Sequence, residues 1–455
     1  MDAKPAARLW NRSFALLWQG QLISSIGKNA FAITALLWLK DATGSGTLSG
    51  LLTGLAMLPM VVLGPVAGVF VDRVNRGRMV AWTDVAGGLL VSVAAALFFL
   101  LPGRQDLLLV AVFVVSLGTG LLDTFSQPSI MAAIPDLVPR GKLEAANSLN
   151  LTGFHTAFLV AQAAGGILYR LLGAPLLVAV NAVAYLWAGF SELGVKTPDV
   201  RSRVRPAGTH PLRHFASELA EGARYVWHHR GLRTLLVVFT ALNFFVAPLL
   251  ALMAFFVQDF LRLGPEWLGY LMACYGAGGL IGFALAGALP VRGRGREALL
   301  AAATIGQSAT IPLMLLLPAT PFQVALFLAA GIMGGLINVQ VMTLMQIAAP
   351  QELRGRVQSL ATTVSAGVMP VGMALAGILF DLSGANFWLV IGLPGLAMLL
   401  VSIAALFSRH YRSFLAETPA AAAASAGQAA PAAPAAEPSS DPAAPQPSSP
   451  PTAPE

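Results

Sequence analysis

An all-α membrane protein of twelve transmembrane helices in two six-helix repeats is the fold class the sequence predicts, on three observations. The 455-residue chain is 56% hydrophobic and only 11% charged, with a mean hydropathy of +0.72; soluble chains carry about 25% charged residues. Its apolar residues form continuous runs long enough to cross a bilayer, which takes roughly 20 residues as a helix. The chain also repeats itself. PRGKLEAANSL (139–149) aligns with PQELRGRVQSL (350–360), and GILYRLLGA (166–174) with GILFDLSGA (377–385), both at an offset of 211 residues. Two matches at one offset signal a duplicated unit.

The runs lie near 14–39, 47–71, 79–101, 106–130, 146–171 and 174–195, then 232–260, 266–290, 297–318, 321–347, 358–381 and 386–408. They are continuously apolar, not alternating, which excludes barrel strands. Glycines, 45 in all, are scattered through them, and small residues let helices approach closely in lipid. The first run is too long for a signal-peptide core and lacks a small-residue cleavage site, so it is read as a retained span. The single cysteine, Cys274, sits in an apolar run and reads as a small packing residue.

The links set the orientation. Most of the 28 lysines and arginines fall before the first run and in the links at 73–78, 140–142, 196–231, 292–296, 354–356 and 409–412, whereas the alternate links hold only Lys40, Arg104, Arg170 and Arg262. Positive charge stays in the cytoplasm, so both termini are expected inside the plasma (inner) membrane. A net charge of +7 divided among short loops is not the continuous basic surface of a nucleic-acid binder.

The organisation follows: an N-terminal six-helix bundle over 1–195, a cytoplasmic linker over 196–231, a C-terminal bundle over 232–410, and a tail over 411–455. In the linker, Leu212, Phe215, Leu219 and Val226 have helical spacing. They predict an amphipathic helix lying either on the membrane surface or on the bundle. The tail is nearly all Ala, Pro, Ser, Gln and acids, a composition that cannot bury enough surface to fold.

The link after the second run reads GVFVDRVNRGRM (68–79). Twelve spans in two repeats joined by such a link resemble the major facilitator superfamily, whose hallmark there is Gly, three residues, Asp, Arg, two residues and a basic residue. Gly68, Asp72, Arg73 and Arg76 match. Asn75 stands where the family usually has Gly, and Gly77 where it has a basic residue, with Arg78 following. IPDLVPRGKLEAANSL, QLISSIGKNAF and EGARYVWHH resemble the branch containing macrolide-efflux proteins and the enterobactin exporter. The resemblance implies a charge network of Asp72, Arg73 and Arg76 with an acid on the fourth helix, a place Asp123 fills. Such a network would latch the cytoplasmic side; the plainer reading is a topology signal with snorkelling side chains.

Ionisable groups within spans are costly and mark function by default. Lys28 lies mid-depth in the first run and reads either as a cavity group for an anion or proton, or as a structural ion-pair partner across the bundle. His155, on the fifth run, is a proton-shuttle candidate or a packed histidine. Asp84 reads as a partner for nearby arginines; Glu192, Asp259 and Arg170, near run ends, read as interfacial. In this superfamily helices one, four, seven and ten line the cavity, which here implies Gln21, Ser25, Gln127, Asn243, Asn338 and Gln340 among apolar and aromatic neighbours. Each amide serves a substrate or a neighbouring helix equally well. AQAAGG (161–166) keeps only the closing Gly165-Gly166 of an antiporter motif whose Gly-Pro is here Ala161-Gln162.

No GxxxxGK[ST] loop, GxSxG elbow or metal-ligand spacing occurs, so neither enzyme chemistry nor a cofactor is expected. The expectation is a monomeric secondary transporter that exports a bulky amphipathic compound in exchange for protons, with a siderophore exporter or lysophospholipid flippase as alternative cargo readings. A non-transporting membrane sensor or scaffold is the alternative of another class.

Overall fold

The computed structural model describes residues 9–71, 74–197, 211–288, 291, 293–350 and 353–415. The described residues are helical, without strands. The first half comprises α1 (Arg12–Thr43), α2 (Gly46–Val71), α3 (Arg76–Leu100), α4 (Gln105–Leu137) and α5 (Leu143–Glu192). Linker helix α6 (Pro211–His228) follows. The second half comprises α7 (Arg230–Ala251), the short turn α8 (Met253–Phe255), α9 (Glu266–Ala288), α10 (Arg294–Leu316), α11 (Thr320–Ala348), α12 (Arg354–Leu382), α13 (Leu393–Phe407) and α14 (Arg409–Leu415). Single π-helical turns at Phe256–Phe260 and Trp388–Gly392 extend the seventh and last spans.

Among the described residues, eleven helices are long and apolar enough to cross a membrane. One of them, α5, has 50 residues and breaks at Gly173, whose φ of 71° lies in the left-handed region, just before Pro175. At 1.5 Å per residue it would be about 75 Å long, more than twice the roughly 30 Å hydrocarbon core. Its arms, 143–172 and 174–192, are therefore the fifth and sixth spans, completing the predicted twelve. The internal repeat is visible in the elements: α5 begins at Leu143 and α12 at Arg354, 211 residues apart.

Helix ends follow local chemistry. The Asn11 side chain accepts from the Phe14 N–H at 3.0 Å, capping α1, and donates to the Leu137 carbonyl at 2.8 Å, tying α1 to the end of α4. Asn75 caps α3 by accepting from the Arg78 N–H at 3.0 Å. These side chains supply acceptors that a helix start otherwise lacks.

Within the first half α1 and α3 pack on α5, and α2 and α3 on α4; within the second, α9 packs on α11, α7 on α12 and α13, and α10 on α11 and α13. The halves meet through α2 on α12 and α5 on α9, the second span of each half against the fifth of the other, as two-fold repeats require. These contacts are backbone-close. A Cβ at Gly50 would lie 2.3 Å from the Met373 carbonyl oxygen, and one at Gly377 2.2 Å from that of Gly46.

The face where α1 starts and α13 ends carries Arg12, Arg76, Arg78, Arg294 and Arg409, and is called the arginine-rich face below. At the opposite face polar bonds join the halves. Lys40 Nζ lies 2.7 Å from both Asp259 Oδ1 and Gln258 Oε1, and Arg170 Nη1 lies 2.9 Å from Glu266 Oε1. The Asp381 carboxylate caps α2 from across the interface, accepting from the Gly46 and Thr47 N–H groups at 2.7 and 2.9 Å and the Ser45 hydroxyl at 2.8 Å. Helix α6 packs on the second half: Tyr225 donates to the Ala348 carbonyl at 2.7 Å, Glu221 pairs with Arg356, and Val226 is buried.

Candidate functional site

The first half holds a polar cluster inside its span bundle. On α1, Gln21, Ser24 and Lys28 share one helix face at i, i+3 and i+7. Lys28 lies about 24 Å along α1 from the arginine-rich face, near mid-membrane. Its ammonium is 2.7 Å from Asp123 Oδ1 on α4 and 3.3 Å from Asp84 Oδ1 on α3, and sits 5.3 Å from the centre of the Tyr185 ring. The Asp84 side chain is 1% exposed, that of Lys28 14% and that of Asp123 36%. The cluster continues towards the arginine-rich face. Gln21 Nε2 donates to Asp84 Oδ2 at 3.3 Å and to Glu192 Oε1 at 2.9 Å. Glu192 is buried, and its Oε2 has no partner among the described residues; nor do the Asn181 amide atoms.

Two carboxyl groups thus share one ammonium inside the bundle, and a third is joined to them through the Gln21 amide. An isolated buried charge is costly unless paired and hydrogen-bonded. Asp84 and Asp123 meet that condition through Lys28. Glu192 has only an amide.

A groove of about 260 Å³ opens beside this cluster, between α1, α4 and the first arm of α5. Trp18, Leu22, Ile130, Met131, Leu151 and Phe154 make it apolar, and Gln21, Ser25, Gln127 and Asn150 add polar points. Such a lining suits a ligand with a large apolar body and few polar groups. Gln21 belongs to both features: it lines the groove and joins Asp84 to Glu192.

The structure rearranges several expectations. Asp123 is not with Arg76: it bonds Lys28, while Arg76 bonds Asp136 at 2.7 Å and the Ala132 carbonyl at 3.0 Å. Asp123 and Asp136 are thirteen residues apart on α4, about 20 Å along the axis, and Arg76 starts α3 at the end where Asp136 lies. Asp72 and Arg73 lie outside the described residues, and Gly68 is exposed near the end of α2. Asp84 pairs with Lys28, not with the nearby arginines. Glu192, expected at the interface, is 1% exposed.

The remaining candidates do not converge on the cluster. His155 packs against the Phe154 and Phe283 rings at 5.8 and 5.6 Å. Asn243 donates to the Phe239 carbonyl of its own helix at 2.8 Å, and Asn338 is exposed on α11. Of the cavity candidates, Ser25 and Gln127 join Gln21 in the groove. Sequence reasoning missed the face of Asn181, Tyr185 and Glu192, whose spacing of four and seven residues places all three on one side of the sixth span. Among the described residues no cluster of His, Cys, Asp and Glu has an arrangement that would hold a metal ion.

The chain is 26% identical over 386 residues to macrolide efflux protein A of Streptococcus pyogenes, covering 84% of this chain and 93% of that protein. It is 29% identical over 401 residues to the multidrug efflux pump Tap of Mycolicibacterium fortuitum, covering 86% and 95%. Among solved structures, a bacterial homologue of the iron transporter ferroportin in an inward-facing state superposes with a TM-score of 0.66 at 17% identity, covering 89% and 99%. The nucleoside transporter NupG superposes with a TM-score of 0.67 at 12% identity over the same shares; both show the likeness of fold. The sequence profile of the Major Facilitator Superfamily matches residues 17–373, most of the chain, and the protein belongs to that family.

Proposed function

We propose that this protein exports a bulky amphipathic compound of the macrolide or multidrug type in exchange for protons, by alternating access. The observation that carries the proposal is the sharing of Lys28 by Asp84 and Asp123, with Glu192 joined through Gln21. If all three acids were ionised the cluster would carry two uncompensated negative charges in a low-dielectric bundle. Holding a proton on one carboxyl relieves that cost. The cluster is then a proton-binding site whose occupancy depends on where the Lys28 ammonium sits.

The groove supplies the substrate side. An amphipathic ligand seated among Trp18, Met131 and Phe154 hydrogen-bonds Gln21 or Gln127. Drawing Gln21 away from Asp84 and Glu192 removes a donor that stabilises their charge, so ligand and proton occupancy become linked. The relatives named for macrolide and multidrug efflux support this cargo class.

Direction follows from orientation. With the arginine-rich face in the cytoplasm, both termini are inside the plasma membrane, and the bonds made by Lys40, Arg170 and Asp381 close the outer face. The link carrying Gly68, Asp72, Arg73 and Arg76 then lies at the inner side, where it stabilises the alternate state when the halves rock.

The test is transport in proteoliposomes with an imposed pH gradient, offering a macrolide and a fluorescent cationic dye. The proposal expects gradient-driven movement of at least one cargo, abolished in Lys28→Met. Movement equally fast without a gradient contradicts proton exchange. Failure of folded protein to bind or move either compound contradicts the cargo class.

A further inference from the structure

A further cavity lies away from the polar cluster. It lies at the arginine-rich face of the second half, between the start of α10 and the end of α13 with α14, and has a volume of about 620 Å³. Arg294, Arg409 and Arg412 line it together with Glu297, and none of these three arginines is in an ion pair among the described residues. Its apolar wall is Ala298, Ala301 and Leu406. In the transport reading Arg294 and Arg409 only mark the orientation, and none of these residues binds cargo or proton.

The position of the cavity relative to lipid is set by α13. Leu393, Leu396, Leu400, Ile403 and Phe407 are exposed at alternating steps of three and four residues, a single apolar stripe along the helix. In a membrane-spanning helix such a stripe faces acyl chains. It ends at Phe407, 81% exposed, two residues before Arg409. Helix α14 is fixed there because Tyr411, Phe414 and Leu415 are buried against the bundle. The arginines therefore stand at headgroup depth, directly beyond acyl-chain depth.

From this placement we infer that the cavity binds the phosphate headgroup of an anionic phospholipid from the leaflet at the arginine-rich face, with its acyl chains running along the α13 stripe. Guanidinium groups match phosphate oxygens in planar geometry. Three of them against one carboxylate leave the cavity cationic. Basic pockets between transmembrane helices are the sites where headgroup phosphates are held. The inference does not depend on the transport reading, because binding is measured without transport.

The test uses the purified full chain in detergent, offered phosphatidylglycerol or phosphatidylcholine of identical acyl chains, with retained lipid read by native mass spectrometry. Phosphatidylglycerol is expected to be retained in preference. Each arginine removed weakens its retention about fivefold, so the triple variant Arg294→Gln, Arg409→Gln, Arg412→Gln loses roughly a hundredfold and keeps its weak phosphatidylcholine retention. Arg104→Gln, at the opposite face, leaves both unchanged. Excess inorganic phosphate does not displace the lipid. Equal retention of the two lipids, undiminished retention in the triple variant, or displacement by phosphate would each overturn the inference, the last by pointing to a soluble anion. Should the triple variant misfold, Arg412→Gln alone carries the fivefold expectation.

Discussion

Replacing Lys28 by Met tests whether the ammonium holds the charge cluster together. The substitution keeps the length and apolar stem of the side chain and deletes the charge. Asp84, 1% exposed, then loses its cationic partner, and Asp123, 36% exposed, falls back on water. Removing one member of a buried pair costs about 3–5 kcal/mol. A second route gives a similar figure: protonating an ordinary aspartate at neutral pH costs about 4 kcal/mol, which caps the penalty because Asp84 can always escape by taking a proton. Lys28→Met is therefore expected to lose about 4 kcal/mol in detergent unfolding. Asp84→Asn alone leaves Lys28 on Asp123 at 2.7 Å and costs less, about 1.5–3 kcal/mol. The double variant no longer strands a charged Asp84 and recovers most of the Lys28→Met loss. A Lys28→Met protein within about 0.5 kcal/mol of wild type, or a double variant less stable than Lys28→Met, would refute the argument.

Other expectations follow from the same geometry. Asp381→Ala removes the carboxylate that caps α2 from the other half; a cap is worth about 0.5–2 kcal/mol, so spin-label distances across the opposite face should show a larger open fraction, and an unchanged distribution would exclude a latch there. Gly377→Val places side-chain atoms where the Gly46 carbonyl lies 2.2 Å away, and is expected to separate α2 from α12 and abolish transport while leaving membrane insertion intact, as read by export assays on folded protein. Burial pushes the Tyr411 hydroxyl up to about 12. Its neutral form is thus favoured by folding, and that stability is present below about pH 10 and lost as pH rises towards 12. Tyrosinate absorbance should show a step near pH 12 that Tyr411→Phe removes; absence of that step from the wild type contradicts the burial.

Much of the fold was legible because each span announces itself by hydropathy and each link by charge. The offset of 211 residues located the start of α5 relative to α12. The break between the fifth and sixth spans was legible as a gap between apolar runs, although the helix continues through it apart from Gly173. The site was legible only in part. Lys28 stood out because a lysine at mid-depth needs a partner, but which acid supplies it depends on how α1, α3 and α4 are rotated about their axes, and hydropathy carries no such information. Asp123 and Asp136 both lie on α4, and the resemblance put Arg76 with Asp123 where the structure pairs it with Asp136. Glu192 ends a run and so reads as interfacial; α1 covers it through Gln21 and Gly20, a tertiary contact with no local signature.

In the proposed function the cluster of Lys28, Asp84, Asp123 and Glu192 exchanges a proton when cargo binds. The most direct measurement is proton release or uptake on adding a macrolide to the purified protein in weakly buffered detergent, followed with a pH indicator. The account predicts a saturable proton signal that tracks ligand binding in the wild type and disappears in Asp84→Asn and Lys28→Met. Saturable binding without a proton signal, or a signal of undiminished size in both variants, would contradict it.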